Sequence, residues 1–128
     1  MARVLVLDGN KYLRMLYALE LASEGYEVVL AADGDEALER LKATRPDIVV
    51  MEIGKRTPAG PGHTPQNLRK TYKMPVILNT ARDMSESELV ATGADACLVK
   101  SSDLSELKAT IRELLVRSVQ QNEREVLV

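Results

Sequence analysis

The sequence has no phenylalanine and no tryptophan, and it has one cysteine and one histidine among 128 residues. Hydrophobic residues still make up 45% of the chain, so the core must be built from aliphatic side chains. A single cysteine, Cys97, excludes an internal disulfide framework and a cysteine-cluster metal site. The chain must therefore fold through ordinary burial of Val, Leu, Ile, Met and Ala.

Strong charge of either sign and long apolar runs are also missing. The 17 Lys and Arg residues nearly balance the 19 Asp and Glu residues, for a net charge of -2. Without a basic footprint, we expect no nucleic-acid binding by this domain. No apolar run approaches the roughly 20 residues of a membrane helix, and the N-terminus lacks the hydrophobic region of a signal peptide. We therefore expect a cytoplasmic protein without membrane contact.

Short apolar runs alternate with segments of helical pattern along the chain. The predicted strands cover residues 4–7, 26–30, 48–53, 76–78 and 96–99, and the predicted helices cover 11–24, 35–44, 65–73, 85–92 and 103–118. Most of the apolar runs are continuous, as in strands covered by helices on both faces. The pattern predicts an α/β fold, a doubly wound five-stranded parallel sheet flanked by five helices. We expect one domain over residues 2–118 and a C-terminal tail over 119–128, which either extends the last helix or frays.

Helix start signals support these bounds. Ser85 and Glu88 have the spacing of a capping box at the start of the fourth helix. Thr64 is the expected N-cap of the third helix, with Pro65 in its first position. The preceding residues 54–66 are rich in Gly and Pro and are expected to form a loop. Ser102 or Asp103 can cap the fifth helix.

Four polar residues follow or end predicted strands: Asp8, Glu52, Thr80 and Lys100. In an open parallel sheet, ligands and chemistry collect at the carboxyl ends of the strands. Each of these residues alone would be an ordinary surface residue. Together, at the ends of the first, third, fourth and fifth strands, they predict a site at one edge of the sheet.

The chain resembles the receiver domain of two-component response regulators over residues 2 to about 116. The resemblance implies a flavodoxin-like, receiver-type sheet and a role in signal transduction. It rests on the motifs Val-Leu-Val-Leu-Asp at 4–8, Gly-Tyr-Glu-Val at 25–28, Ala-Asp-Gly-Asp-Glu-Ala-Leu at 32–38, Arg-Pro-Asp-Ile at 45–48, Thr-Ala at 80–81, Gly-Ala-Asp-Ala at 93–96, and Lys100.

In that family, two acids hold Mg²⁺ beside a phosphate-accepting aspartate, and a Thr or Ser hydroxyl and a Lys contact the phosphoryl oxygens. Asp8 matches the first acid, but Gly9 stands where the second usually is. Glu52 replaces the phosphoacceptor, whereas Thr80 and Lys100 match the phosphoryl-contacting positions. A misplacement of about 1 Å can cost roughly a hundredfold in an oriented reaction. The extra methylene of Glu52 therefore weakens the case for phosphotransfer.

Two further positions depart from the family pattern: Ser101 replaces a proline, and Cys97 replaces a Tyr or Phe. The joint departures predict a degenerate, pseudo-receiver member, which is not an enzyme and has neither a cofactor nor a bound metal. Glu52 can reach Lys100, either as a mimic of the phosphorylated state or as a plain polar pair. The alternatives are a true phosphoacceptor with an atypical site and a ligand-sensing domain covered by loop 54–66.

The first predicted helix carries a second apolar stripe beside its core-facing one. It consists of Tyr12, Met15, Leu19 and Ala22, at helical spacing on another face. Because contiguous exposed apolar area often marks an interface, we expect a protein partner there. A second copy of the chain is one such partner, and surface side chains that pack singly are the competing interpretation.

Overall fold

The computed structural model describes residues 1–52 and 64–127, and it contains five parallel strands in one sheet in the order β2-β1-β3-β4-β5. The predicted fold class is confirmed. The predicted loop at 54–66 and the predicted end of the third strand at residue 53 lie mostly outside the described residues. In chain order the elements are β1 Arg3–Leu7, α1 Lys11–Ser23, β2 Glu27–Ala31, α2 Gly34–Thr44, β3 Ile48–Met51, α3 Pro65–Tyr72, β4 Val76–Thr80, α4 Glu86–Thr92, β5 Ala96–Val99 and α5 Ser105–Leu127.

Both faces of the sheet are covered by helices, because side chains alternate along each strand. In β1, Val4 and Val6 pack into one buried cluster, and Leu5 and Leu7 pack into the other. The first cluster receives side chains from α1 and α5, and the second receives side chains from α2 and α3. The core is aliphatic, as the composition predicts, and Tyr17 is its only fully buried aromatic residue in the part of the chain described.

The helix caps explain where several elements begin. Thr64 Oγ1 accepts a hydrogen bond from the Asn67 N–H at 3.2 Å, which confirms the predicted start of α3. The predicted capping box of Ser85 and Glu88 is present at the start of α4. The predicted start of the last helix is two residues early, since α5 begins at Ser105. Asp103 instead accepts the Ser105 N–H from outside the helix.

Helix α5 continues to Leu127, so residues 119–127 follow the helical alternative expected for the C-terminal segment. The division into a domain of residues 2–118 and a tail of 119–128 stays a prediction. No helix within the described ranges is both long and apolar enough to cross a membrane.

Candidate functional site

The sheet brings the predicted polar residues to one edge. Asp8 follows β1, Glu52 follows β3 and Lys100 follows β5, and Thr80 is the last residue of β4. Parallel strands end at the same edge of the sheet, so residues from distant parts of the sequence become neighbours there. Backbone hydrogen bonds set the register in which the strands end: the Glu52 N–H donates to Leu7 O at 2.9 Å.

The Lys100 ammonium lies between the two carboxylates. Its Nζ is 2.9 Å from Asp8 Oδ2 and 2.5 Å from Glu52 Oε1. The Asp8 side chain is 2% exposed, that of Lys100 15% and that of Glu52 22%. The longer stem of Glu52 thus makes the contact with Lys100 that the sequence suggested. The three side chains form one partly buried ion triad.

Backbone N–H groups occupy the remaining carboxylate oxygens of the triad. Glu52 Oε2 accepts the Gly9 N–H at 2.9 Å, and Asp8 Oδ1 accepts the Asn10 N–H at 2.8 Å. All four carboxylate oxygens therefore have a nitrogen donor. These hydrogen bonds matter because an unpaired buried charge is strongly destabilising.

The pKa values respond to this arrangement. Burial by itself raises the pKa of Glu52, but hydrogen bonds from Lys100 and the Gly9 N–H bring it below its ordinary value of 4.5. Burial likewise lowers the pKa of Lys100, but the hydrogen bonds to Glu52 and Asp8 raise it above its ordinary value of 10.5. Both directions stabilise the charged forms, so the Glu52–Lys100 pair stays ionised at neutral pH.

Thr80 contacts the triad through its backbone. Its carbonyl accepts the Lys100 N–H at 2.6 Å, whereas its Oγ1 donates to Arg82 O at 2.6 Å. Within the described residues, no hydrogen bond joins the Thr80 hydroxyl to the side chain of Glu52 or Lys100. Thr80 is thus linked to the triad by its backbone, and the Glu52–Lys100 pair as a mimic of the phosphorylated state stays a prediction.

The acidic residues of this corner do not fit Mg²⁺. That ion requires near-octahedral oxygen ligands, and the two carboxylates of this corner, those of Asp8 and Glu52, are both paired with the Lys100 ammonium. Gly9 supplies no side-chain oxygen. In the described part of the chain, no group of three or more His, Cys, Asp or Glu residues could hold a metal ion.

A buried polar pair beneath the triad was not predicted from the sequence. Asn79 Nδ2 donates to Tyr17 Oη at 2.7 Å, and the two residues are 5% and 1% exposed. Burial raises the pKa of Tyr17, and the nearby Asp8 charge raises it further. The signal in the sequence was Asn79 itself, because an amide is unusual in an otherwise apolar strand.

The two positions that depart from the family pattern, Cys97 and Ser101, can also be located. Cys97 is half-buried, its Sγ is 3.6 Å from Met84 Sδ, and burial raises the pKa of its thiol. The Lys100–Ser101 peptide is trans, as are all peptide bonds of the described residues. A raised pKa disfavours the thiolate, which is the reactive form of cysteine.

The second stripe of α1 is exposed. Tyr12, Met15 and Leu19 are 79%, 53% and 72% exposed, so none of them belongs to the core. The structure therefore confirms the stripe as a surface. Its role as an interface stays a prediction.

The sheet order and the acidic edge define a receiver-type signalling domain. The chain belongs to the response regulator receiver domain family, whose model matches residues 4–112. Members of this family are non-enzymatic signalling modules that interact with proteins such as kinases and effector domains.

Two relatives illustrate the similarity in sequence. The response regulator MprA of Mycolicibacterium vanbaalenii is 40% identical over 121 residues, which cover 91% of this chain and 51% of the relative. A probable transcriptional regulator, ycf27, of Porphyridium aerugineum is 37% identical and covers 90% of this chain and 48% of the relative. The chain thus spans about half the length of the curated relatives it matches.

Among solved structures, the response regulator TrrA of Thermotoga maritima, in complex with Mg²⁺ and BeF, is 34% identical. The alignment has a TM-score of 0.76 and covers 89% of this chain and 99% of that protein. The chemotaxis protein CheY4 of Vibrio cholerae is 29% identical, with a TM-score of 0.78 and coverage of 89% and 98%. These likenesses extend over nearly the whole receiver fold.

Proposed function

We propose that this chain is a pseudo-receiver: a regulatory protein-interaction module that takes no phosphoryl group by the family's route. The observation that carries the proposal is the Glu52 carboxylate at the acceptor position, which Lys100 and the Gly9 N–H hold in place, with no second acid next to Asp8. In the family a phosphoacceptor aspartate lies beside two acids that hold a divalent cation. Here a glutamate stands at that position, both of its oxygens accept hydrogen bonds, and Gly9 takes the place of the second acid.

The energetics of the triad support this proposal. Each Glu52 oxygen keeps a lone pair, but the hydrogen bonds from Lys100 and the Gly9 N–H fix the carboxylate, and turning it toward a phosphoryl group would break at least one of them. Breaking a buried ion pair costs about 3–5 kcal/mol, and somewhat less for partly exposed side chains such as these. The TrrA structure shows Mg²⁺ and BeF bound to a related protein; we propose that this chain binds neither.

The proposed partner is a protein that binds a surface of this domain independently of phosphorylation. The exposed stripe of Tyr12, Met15 and Leu19 is the surface proposed for it, and a homodimer is one form of such contact. We propose that the domain acts in the cytoplasm and does not itself bind nucleic acid.

Incubation with acetyl phosphate or beryllofluoride and Mg²⁺ tests the proposal. We expect no mass increase with acetyl phosphate and no Mg²⁺-dependent change in the amide spectrum with beryllofluoride. Either change in the wild-type chain would contradict the proposal and favour the alternative of an atypical phosphoacceptor.

A variant with the acids restored serves as the positive control. A Cβ built on Gly9 lies 3.6 Å from Glu52 Oε2 and 3.9 Å from Ala32 O, which are ordinary contacts. The double variant Gly9→Asp/Glu52→Asp should therefore fold and gain Mg²⁺-dependent beryllofluoride binding. The matched variant Gly9→Asn/Glu52→Asn has similar volume without the carboxylates and should gain nothing.

A further inference from the structure

A large cleft lies at the opposite edge of the sheet from the ion triad. It has a volume of about 610 Å³ and is bounded by α3, by the start of β4 and by the C-terminal half of α5. Its floor is formed by Met74, Pro75 and Leu114. Met74 and Pro75 directly precede β4, so Leu114, which lines the cleft with them, lies near the amino ends of the strands. The following turns of α5 extend past the sheet.

The polarity of α5 changes at this point. Up to Leu114 its sheet-facing stripe is apolar and packs into the core. Beyond Leu114, the residues that line the cleft are polar, while Val116 and Val119 are exposed at other positions on the helix. The polar side chains of α5 in the cleft are Arg117, Ser118, Gln121, Asn122 and Glu125.

The α3 wall of the cleft is basic. Arg69 is held in place, because its Nη1 donates to Gly93 O at 2.6 Å and its Nε lies 3.1 Å from Asp95 Oδ2. Lys70 and Lys73 are exposed and form no ion pair with any residue in the described ranges. A guanidinium has five N–H donors, so Arg69 retains donors that can face a ligand.

Arg69, Lys70 and Lys73 together carry more positive charge than the dipole at the C-terminus of α3 and Asp95 balance. The C-terminus of α3 carries about half a negative elementary charge, and Asp95 balances Arg69. The charges of Lys70 and Lys73 therefore remain largely uncompensated on this wall. Glu125 is the one acid on the α5 wall among the described lining residues.

We propose that this cleft binds a compact phosphate-bearing anion, with Lys70 and Lys73 as its charge contacts and Arg69 as an oriented donor. Lysine and guanidinium groups suit phosphate oxygens, and the amides of Gln121 and Asn122 supply further polar contacts. The volume is that of a small-molecule site. Met74 and Leu114 are each 7% exposed, so the floor offers little apolar area to a peptide.

The test is an NMR titration of the full chain, at low salt and without Mg²⁺, with inorganic pyrophosphate and separately with adenosine diphosphate. We expect saturable amide shifts confined to residues 66–75 and 117–125. Tighter binding of the nucleotide would show that its organic part adds contacts in the cleft, and equal binding would assign recognition to the phosphates alone. Either result supports a phosphate site.

Charge-matched variants separate a site from a general charge effect. Lys70→Gln/Lys73→Gln should weaken pyrophosphate binding at least about tenfold, since two charge-assisted contacts are lost. The control Lys11→Gln/Lys42→Gln removes two exposed lysines elsewhere and should keep the wild-type affinity. Because all four side chains are exposed, a thermal melt should show that both variants remain folded.

Three results would overturn the proposal: no saturation by about 10 mM pyrophosphate, equal weakening in the control variant, or the same shifts with a tetraglutamate peptide. The last result would identify the cleft as a surface for acidic protein segments. The cleft shares no residue with the ion triad, so its failure would leave the proposed function untouched.

Discussion

Replacing Lys100 with methionine isolates the role of the ammonium between the two carboxylates. The substitution keeps an unbranched side chain of similar length and removes the charge. Asp8, whose side chain is 2% exposed, and Glu52 would then face each other without a cation. Two carboxylates left to share one partly buried site cannot both stay ionised without cost.

The expected loss of stability follows from the burial of the triad. Removing one partner of a fully buried ion pair costs about 3–5 kcal/mol. Lys100 and Glu52 retain 15% and 22% of their side-chain exposure, so water offsets part of that cost. We expect Lys100→Met to lower the free energy of unfolding by about 2–4 kcal/mol, a large share of the stability of a typical domain.

Mg²⁺ should partly replace the missing ammonium in this variant. The freed carboxylates can then accept a divalent cation, and binding to the folded state adds RT ln(1 + [Mg²⁺]/Kd). At a tenfold excess over Kd, the gain is about 1.4 kcal/mol. The wild-type chain, in which Lys100 already pairs both acids, should gain nothing measurable.

Urea unfolding followed by far-ultraviolet circular dichroism suits this chain, which has no tryptophan. Lys108→Met is the control, because Lys108 pairs with Glu20 and Glu24 at the surface of α1, where ion pairs contribute about 0–1 kcal/mol. The reasoning is refuted if Lys100→Met costs no more than Lys108→Met, or if Mg²⁺ stabilises the wild-type chain as much as the variant.

Three further predictions follow from the site and from α1. Because the pKa of Glu52 is lowered on folding, its ion pair contributes stability above the unfolded pKa and loses it as pH falls. Glu52→Gln should therefore lose stability less steeply than wild type in urea titrations between about pH 5 and pH 3. Tyr17→Phe leaves Asn79 Nδ2 without its partner and should cost about 1–3 kcal/mol in urea unfolding; a loss below about 0.5 kcal/mol would show that the bond contributes little. Tyr12→Lys/Met15→Lys should change the free energy of unfolding by less than about 0.5 kcal/mol. If the wild-type chain is a dimer, light scattering should give a lower mass for this variant. A monomeric wild-type chain would rule out the homodimer.

Much of the fold could be predicted because the signals are local. Continuous apolar runs such as 48–51 mark strands buried on both faces, and the Ser85–Glu88 spacing marks a helix start. The end of α5 could not be predicted in this way, because residues 119–127 lack an apolar core-facing stripe. Their helix continues from the packed turns before it, a longer-range effect than sequence patterns record.

The site was predictable to the level of which residues meet, but not of how they bond. Asp8 and Glu52 follow buried strands and Lys100 follows the edge strand β5, so the parallel sheet had to bring them together. The direction of the Thr80 hydroxyl, toward Arg82 O, depends on the turn that follows β4. The contact of Tyr17 with Asn79 joins residues 62 positions apart, and nothing in the local sequence links them.

The sequence by itself determined the α/β architecture, the aliphatic core and the set of polar residues at one edge, because these depend on periodicity and on strand ends. Only the tertiary structure decided that one ammonium lies between two carboxylates, and that Tyr17 and Asn79 pair beneath them. The physical reason is that ion pairing and buried hydrogen bonding act over about 3 Å between groups whose distance depends on the whole fold. Sequence patterns show which groups are present at the edge, and the packing sets which of them touch.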